Sequence, residues 1–255
     1  MKSVYFYFLI VGLFVTACSQ PPKVRLFMAG DSTMQSYKES ETPMRGWGQC
    51  FPHFFDTTKI EIINRAIGGR STKKFKKEGR WDDLVAQLQE GDFVFIQFGH
   101  NDASRNKPDR YTPPEDYKRY LRQFVKDVRS KDAIPVLCTP VVMRRFTEDG
   151  NFKDGHGAYP GKMREVAMEE DVFLIDMHKR SMQLIVDLGP DASVDYYMNL
   201  KPGEHFAFPD GKSDNTHMQQ RGAMAMARIA VEGLLDKQIM PLVNCLNGNA
   251  VETAQ

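Results

Sequence analysis

Five short, nearly continuous apolar runs constrain this chain's fold more than any other feature. They cover residues 24–29, 60–64, 92–98, 134–139 and 172–176. A strand with one wet face alternates apolar and polar residues. Runs without that alternation suit strands covered on both faces, as in a parallel sheet. The segments between them carry a helical period. Residues 81–89 place Trp81, Leu84, Val85 and Leu88 on one side. Residues 114–129 open on proline and acids, then line up Tyr117, Tyr120, Leu121, Phe124, Val125 and Val128, with lysine and arginine opposite. Residues 159–170 and 218–235 are further helix candidates. Strand and helix in alternation imply a single α/β fold with right-handed crossovers. The stretch 187–214, rich in Gly, Pro, Asp and aromatics, is expected as a loop insert.

The chain has 255 residues, 42% of them hydrophobic, enough for one sizeable core without a second domain. A net charge of +1 supplies no field favouring nucleic acid, and no nucleic-acid partner is expected. Met1-Lys2-Ser3 precedes an apolar run over 4–15 and then Thr16-Ala17-Cys18. The run is shorter than the about 20 residues a membrane-spanning helix needs, and it has the layout of a secretory signal. Val15-Thr16-Ala17-Cys18 resembles a bacterial lipobox. Residues 1–17 are therefore expected as a lipoprotein signal peptide and Cys18 as the lipidated first residue. Residues 18–23 would form a tether, 24–240 the domain and 241–255 a C-terminal tail. The expected location is that of an exported lipoprotein, membrane-anchored through its N-terminal lipid in the periplasm or at the cell surface. Cys50 and Cys138 fit buried free thiols. Cys245 lies near a polar end, and a disulfide among the three is open. No CxxC motif or Cys/His spacing points to a metal.

Ligands of open α/β sheets bind beyond the carboxyl ends of the strands. Polar and glycine residues gather there: Gly30-Asp31-Ser32-Thr33 after the first run, Ala66-Ile67-Gly68-Gly69-Arg70-Ser71 after the second, Gly99-His100-Asn101-Asp102 after the third, and Thr139 to Arg145 after the fourth. Alone, Ser32 is either a turn serine or a nucleophile. Asp214 and His217 stand three apart before the last helix. In a helix-entry turn that spacing lets a carboxylate reach the imidazole and fix its tautomer. Asp214 or Ser213 could equally cap that helix.

Gly30-Asp31-Ser32, Gly69, Gly99-x-Asn101-Asp102 and Asp214-x-x-His217 occur in the order of the four signature blocks of the SGNH (GDSL) hydrolase family, which the chain resembles. Asn64 to Ser71 and Gln97 to Asp102 look most like its rhamnogalacturonan acetylesterase branch. The resemblance implies a three-layer α/β/α flavodoxin-like fold with a five-stranded parallel sheet. It implies Ser32 as nucleophile, His217 as base and Asp214 as the acid orienting it. The oxyanion hole would be the N–H groups of Ser32 and Gly69 and the side chain of Asn101, with Gly68 the neighbouring alternative. The implied reaction removes acetyl groups from rhamnogalacturonan through an acyl-enzyme, with no metal or organic cofactor. Acetylated xylan, peptidoglycan or small acyl esters are alternative substrates. A non-catalytic glycan-binding lipoprotein is the alternative of another class.

Arg70, Arg144 and Arg145 are candidates for pairing with substrate carboxylates, against the plainer reading of solvated arginines. Lys73, Lys74, Lys76 and Lys77 look like a solvated basic face that could also steer an anionic pectin. Asp31 is expected to hold its turn, Asp102 to orient its loop and His100 to be structural. His156 is expected in a flexible loop, and His53, His178 and His205 in no constellation. Trp47 and Trp81 are expected in the core or a cleft wall.

Overall fold

In the computed structural model, which describes residues 22–248 and 250, all five apolar runs enter one parallel sheet. Its strands are β1 (Val24–Gly30), β2 (Ile60–Asn64), β3 (Phe93–Gln97), β4 (Ile134–Cys138) and β5 (Phe173–Ile175), in the order β2-β1-β3-β4-β5. Alternate residues feed two separate cores. Leu26, Met28, Phe93, Phe95 and Val136 enter one, and Phe27, Ala29, Val94, Ile96 and Leu137 the other. Because both faces are buried, both sets must be apolar, and this produces the unbroken runs in the sequence.

Helices α1 (Trp47–Cys50), α6 (Met177–Ala192) and α7 (Gln220–Asp236) close the first core. Helices α2 (Thr72–Lys77), α3 (Arg80–Val85), α4 (Pro114–Arg129) and α5 (Tyr159–Glu169) close the second. The fold is the expected three-layer α/β/α sandwich. Helix α4 starts on Pro114 with Glu115 and Asp116 in its first turn, and ends with Lys126 and Arg129 in its last, charges matched to the helix dipole. Its buried Phe124 stacks on Trp81 at 3.9 Å between ring centroids. Trp81 and Trp47 are both fully buried core residues.

Two expectations need correction. The stretch 187–214 is not a plain loop. Helix α6 runs on to Ala192, with a break at Gly189 (φ 71°). Two short antiparallel strands follow, β6 (Tyr197–Leu200) and β7 (Lys212–Met218). Asp214 and His217 accordingly stand on β7 rather than in a helix-entry turn. The pairing register slips there: Tyr197 faces Met218 while Met198 faces Asp214, so residues 215–217 bulge out. Such a bulge re-aims the side chains it carries.

The leader over 1–17 and the Cys18 lipidation site lie outside the described residues, as do most of the 18–23 tether and residues 251–255. No helix among the described residues is long and apolar enough to cross a membrane. The start of the 241–255 segment lies back on the domain. Asp56 N–H donates to the Cys245 carbonyl at 2.8 Å, and Asn247 N–H to the Phe54 carbonyl at 3.0 Å. Cys50, Cys138 and Cys245 are buried free thiols, with no disulfide among them.

Candidate active site

The sheet order reverses between β1 and β3, and the loops leaving β1, β2 and β3 meet at that crevice. The β1 exit is built around Asp31, which is fully buried. Its Oδ1 accepts from the Thr33 N–H and O–H at 3.0 and 2.8 Å, and its carbonyl accepts from the N–H groups of Met34 and Gln35. Burial alone would raise the Asp31 pKa, but His100, at 3.3 Å, and Thr33 outweigh it and leave the carboxyl below its usual range. Gln97, at the end of β3, accepts from Trp47 Nε1 and donates to Thr33 Oγ1, which pins the turn from the other side. Asp31 and His100 therefore build the turn that presents Ser32.

Facing this turn, His217 Nε2 lies 2.9 Å from Ser32 Oγ. His217 Nδ1 lies 2.7 Å from Asp214 Oδ2. The other oxygen, Asp214 Oδ1, accepts from the N–H groups of Thr216 and His217 at 2.9 and 3.0 Å. One carboxylate thus folds the bulge and orients the ring. Burial opposes its ionisation, yet the bonds from His217 and Thr216 hold its pKa well below the usual carboxylate range. The His217 side chain is 31% exposed while Ser32 is 8% exposed. The imidazole is open to solvent on one side, and the serine hydroxyl is recessed beside it.

Three groups are the candidate oxyanion donors: the N–H groups of Ser32 and Gly69 and the Asn101 side chain. The N–H groups of Ser32 and Gly69 have no acceptor among the described residues. The Gly68 N–H is taken by Gln35 Oε1, so the free donor of that pair is Gly69. Gly69 has φ +76°, a conformation that favours glycine, and a Cβ there would press on the Arg110 guanidinium carbon at 3.2 Å. Asn101 Nδ2 donates to the Arg70 carbonyl at 3.1 Å and its Oδ1 accepts from Arg110 at 3.3 Å. This fixes the amide and leaves its second N–H available.

Arg110 is the residue that motif reading missed. It lies nine residues after Asn101, in an irregular loop, and belongs to no signature block. Two lysines of the expected basic face hold that loop. Lys73 Nζ donates to the carbonyls of Pro108 and Tyr111 at 2.9 and 2.6 Å, and Lys74 pairs with Asp109 at 2.6 Å. Of the candidate substrate-binding arginines, Arg70 pairs with Glu78 at 3.0 Å and donates to the Gly68 carbonyl. Arg144 donates to Ser193, to Asn215 beside Asp214, and to the Pro190 carbonyl. Arg145 is exposed, with its guanidinium over Gly155.

Asp102 is fully buried and accepts from Thr72 N–H and from Thr72 Oγ1 at 2.6 Å, joining the β3 exit to the start of α2. Burial raises its pKa to about 7 against the bonds from Thr72 and Thr112. The folded protein then holds a proton at Asp102 that the unfolded chain releases near pH 3.8. The resulting stabilisation is complete below that value and is lost as pH rises through about 7. Asp102→Asn is expected to flatten the fall in melting temperature across that window, a change read from melts of the two proteins at stepped pH.

His178, expected in no constellation, stands in one with His156 and Asp154. His156 is not in an open loop: it is 1% exposed, its ring edge-on to His100 at 4.6 Å and to His178 at 5.2 Å. Asp154 Oδ1 stands 3.5 Å from His156 Nδ1 and 3.1 Å from His178 Nε2. Burial, with His100 adding to it, pushes the His156 pKa down to about 4. The cluster is invisible in sequence because β5 intervenes between His156 and His178.

Residues 28–223 match the model of the GDSL-like lipase/acylhydrolase family. The chain is 38% identical over 211 residues to rhamnogalacturonan acetylesterase RhgT of Bacillus subtilis (strain 168), covering 83% of this chain and 89% of that one. It is 39% identical over 210 residues to the probable rhamnogalacturonan acetylesterase YesY of the same organism, covering 82% and 91%. Among solved structures, protein YxiM of Bacillus subtilis superposes with a TM-score of 0.74 at 26% identity, over 86% of this chain and 58% of that one.

Proposed function

The chain belongs to the GDSL-like lipase/acylhydrolase family and is a carboxylic ester hydrolase, and from that premise we propose that it removes O-acetyl groups from rhamnogalacturonan by Ser-His-Asp chemistry. The observation that carries the mechanism is the contact chain Ser32 Oγ to His217 Nε2 to Asp214 Oδ2, at 2.9 and 2.7 Å. Serine is a weak nucleophile without an adjacent base. Ser32 Oγ attacks the acetyl carbonyl as His217 Nε2 takes its proton. The carbonyl oxygen gains negative charge and is met by the N–H groups of Ser32 and Gly69 and by Asn101. Collapse breaks the ester bond, and His217 gives its proton to the departing sugar oxygen. Water then attacks the acetyl-serine, losing a proton to the same imidazole, and acetate leaves as Ser32 recovers its hydrogen. Fixed donors of this kind typically contribute about 10²–10³ each to the rate.

The substrate reading is supported by the two rhamnogalacturonan acetylesterase relatives and by Arg110, whose guanidinium lies against Gly69 and Asn101. A planar cation there suits the carboxylate of a galacturonate neighbouring the acetylated sugar. Acetate release from acetylated rhamnogalacturonan, xylan and peptidoglycan at matched acetyl concentration tests the substrate. The rhamnogalacturonan is expected to be the preferred one, and equal turnover of all three contradicts the assignment. Arg110→Ala is expected to raise KM for acidic acetylated fragments about tenfold more than KM for a neutral aryl acetate, as the loss of one charge-assisted contact would. Equal changes on both would assign Arg110 to holding Asn101 alone.

The leader and lipobox motif support an exported enzyme tethered through Cys18, next to a polymeric substrate outside the cytoplasm.

A further inference from the structure

We propose that Asp154, His156 and His178 bind one divalent cation of the zinc class, at a site separate from the groups around Ser32. The donor geometry is the first reason. Ligands at about 2.0–2.1 Å from a tetrahedral zinc stand about 3.3 Å from one another. Asp154 Oδ1 is 3.5 Å from His156 Nδ1 and 3.1 Å from His178 Nε2, and the three ligand atoms all lie within 4.8 Å of one another. The second reason is an unpartnered donor atom. His156 Nδ1, the ring nitrogen 3.5 Å from Asp154 Oδ1, has no hydrogen-bond partner among the described residues, and the two imidazole side chains are 0% and 6% exposed. Buried polar atoms left without partners cost about 1–3 kcal/mol each, and natural structures keep few of them. A cation seated between these groups gives His156 Nδ1 the partner it lacks. Two imidazoles and one carboxylate suit zinc and its neighbours in the transition series, whereas calcium and magnesium prefer all-oxygen sites. Asp154 is 37% exposed on its side chain, which gives the ion a way in and leaves room for water as a fourth ligand.

The site's place in the fold says what it does. Asp154 and His156 stand on the long segment between β4 and α5, and His178 is the second residue of α6. A bound ion clamps that segment to α6. The His156 ring also packs edge-on against His100, which contacts Asp31 under the Ser32 turn. The ion is therefore a positioning element that stiffens the floor of the Ser32 turn, and no step of ester cleavage passes through it.

The test uses the full-length protein stripped with a chelator and titrated with Zn²⁺ alone, with calorimetry for stoichiometry and melting for stability. Co²⁺ substitution reports geometry through its visible absorption. The expected result is one Zn²⁺ per chain, a raised melting temperature and a tetrahedral Co²⁺ spectrum. Asp154→Asn and His178→Gln should each weaken binding at least tenfold and lose the melting shift. Asp154→Asn, half-exposed and conservative in shape, keeps the test free of a folding defect. His217→Ala should bind Zn²⁺ as wild type does. Absence of stoichiometric uptake, or uptake unchanged in Asp154→Asn and His178→Gln, overturns the proposal. Uptake that is lost in His217→Ala assigns the ion to the groups around Ser32 and overturns it as well.

Discussion

Ser32→Ala is expected to lower kcat on an aryl acetate by about 10⁵–10⁶ while leaving the melting temperature within a few degrees of wild type. The substitution removes one hydroxyl whose contact is His217 Nε2. The turn itself hangs on Asp31, Thr33, Gln97 and Trp47, all of which stay in place. Alanine fits where serine did, so the fold loses little. The nucleophile is gone, and only the oxyanion donors and binding remain to accelerate hydrolysis by water. Initial rates on the aryl ester, read alongside a thermal melt, check it. A variant as active as wild type would remove Ser32 from the reaction.

Asp214→Asn is expected to cost about 10⁴ in kcat with KM little changed. The two carboxylate oxygens have separate jobs, and asparagine can keep only one of them. Its Oδ1 can continue to accept from the Thr216 and His217 N–H groups, so the bulge of β7 is retained. Its amide nitrogen then occupies the Oδ2 position, 2.7 Å from His217 Nδ1. A donor there forces the ring to present a lone pair at Nδ1 and a hydrogen at Nε2. The nitrogen facing Ser32 Oγ can then no longer take a proton. The prediction is checked by steady-state kinetics with circular dichroism as the folding control. A loss below about tenfold would mean that Asp214 folds the bulge without orienting the base.

How much of this could be read in the sequence differs from element to element. The central strands β1, β3 and β4 were legible because burial on both faces leaves few polar residues to break the pattern, while the edge strands β2 and β5, with Glu61 and Phe173 exposed, were legible from their isoleucine, leucine and phenylalanine content. Helix α4 was legible because its Tyr117, Leu121, Phe124 and Val128 stripe is apolar and its other side charged. Helix α6 was not among the expected helices. Its buried face includes His178 and Ser181 along with Met177 and Ile185, so polar residues occupy positions that a hydrophobic pattern would need. The β7 bulge was missed because Lys212-Ser213-Asp214-Asn215-Thr216-His217 has turn and cap chemistry rather than strand propensity. Its pairing comes from β6 and from Asp214's own bonds.

The candidate site divides along the same line. Ser32, Gly69 and Asn101 lie in short motifs at strand exits, Asp214 and His217 lie in one on β7, and the fold sets His217 between Ser32 and Asp214. Arg110 and the Asp154-His156-His178 cluster are products of loop path and helix placement. Arg110 reaches Gly69 from a loop whose residues 108, 109 and 111 are bonded to Lys73 and Lys74 of α2. Local sequence carries no periodic signal for either arrangement.

The measurement that bears most directly on the account is intact-mass and peptide mass spectrometry of the enzyme after rapid mixing with an aryl acetate and acid quench. The account predicts a single acetyl increment on the peptide carrying Ser32, formed in a burst and absent from Ser32→Ala. An enzyme that turns over the ester with no acetyl adduct at Ser32, or with the adduct on another residue, would contradict it.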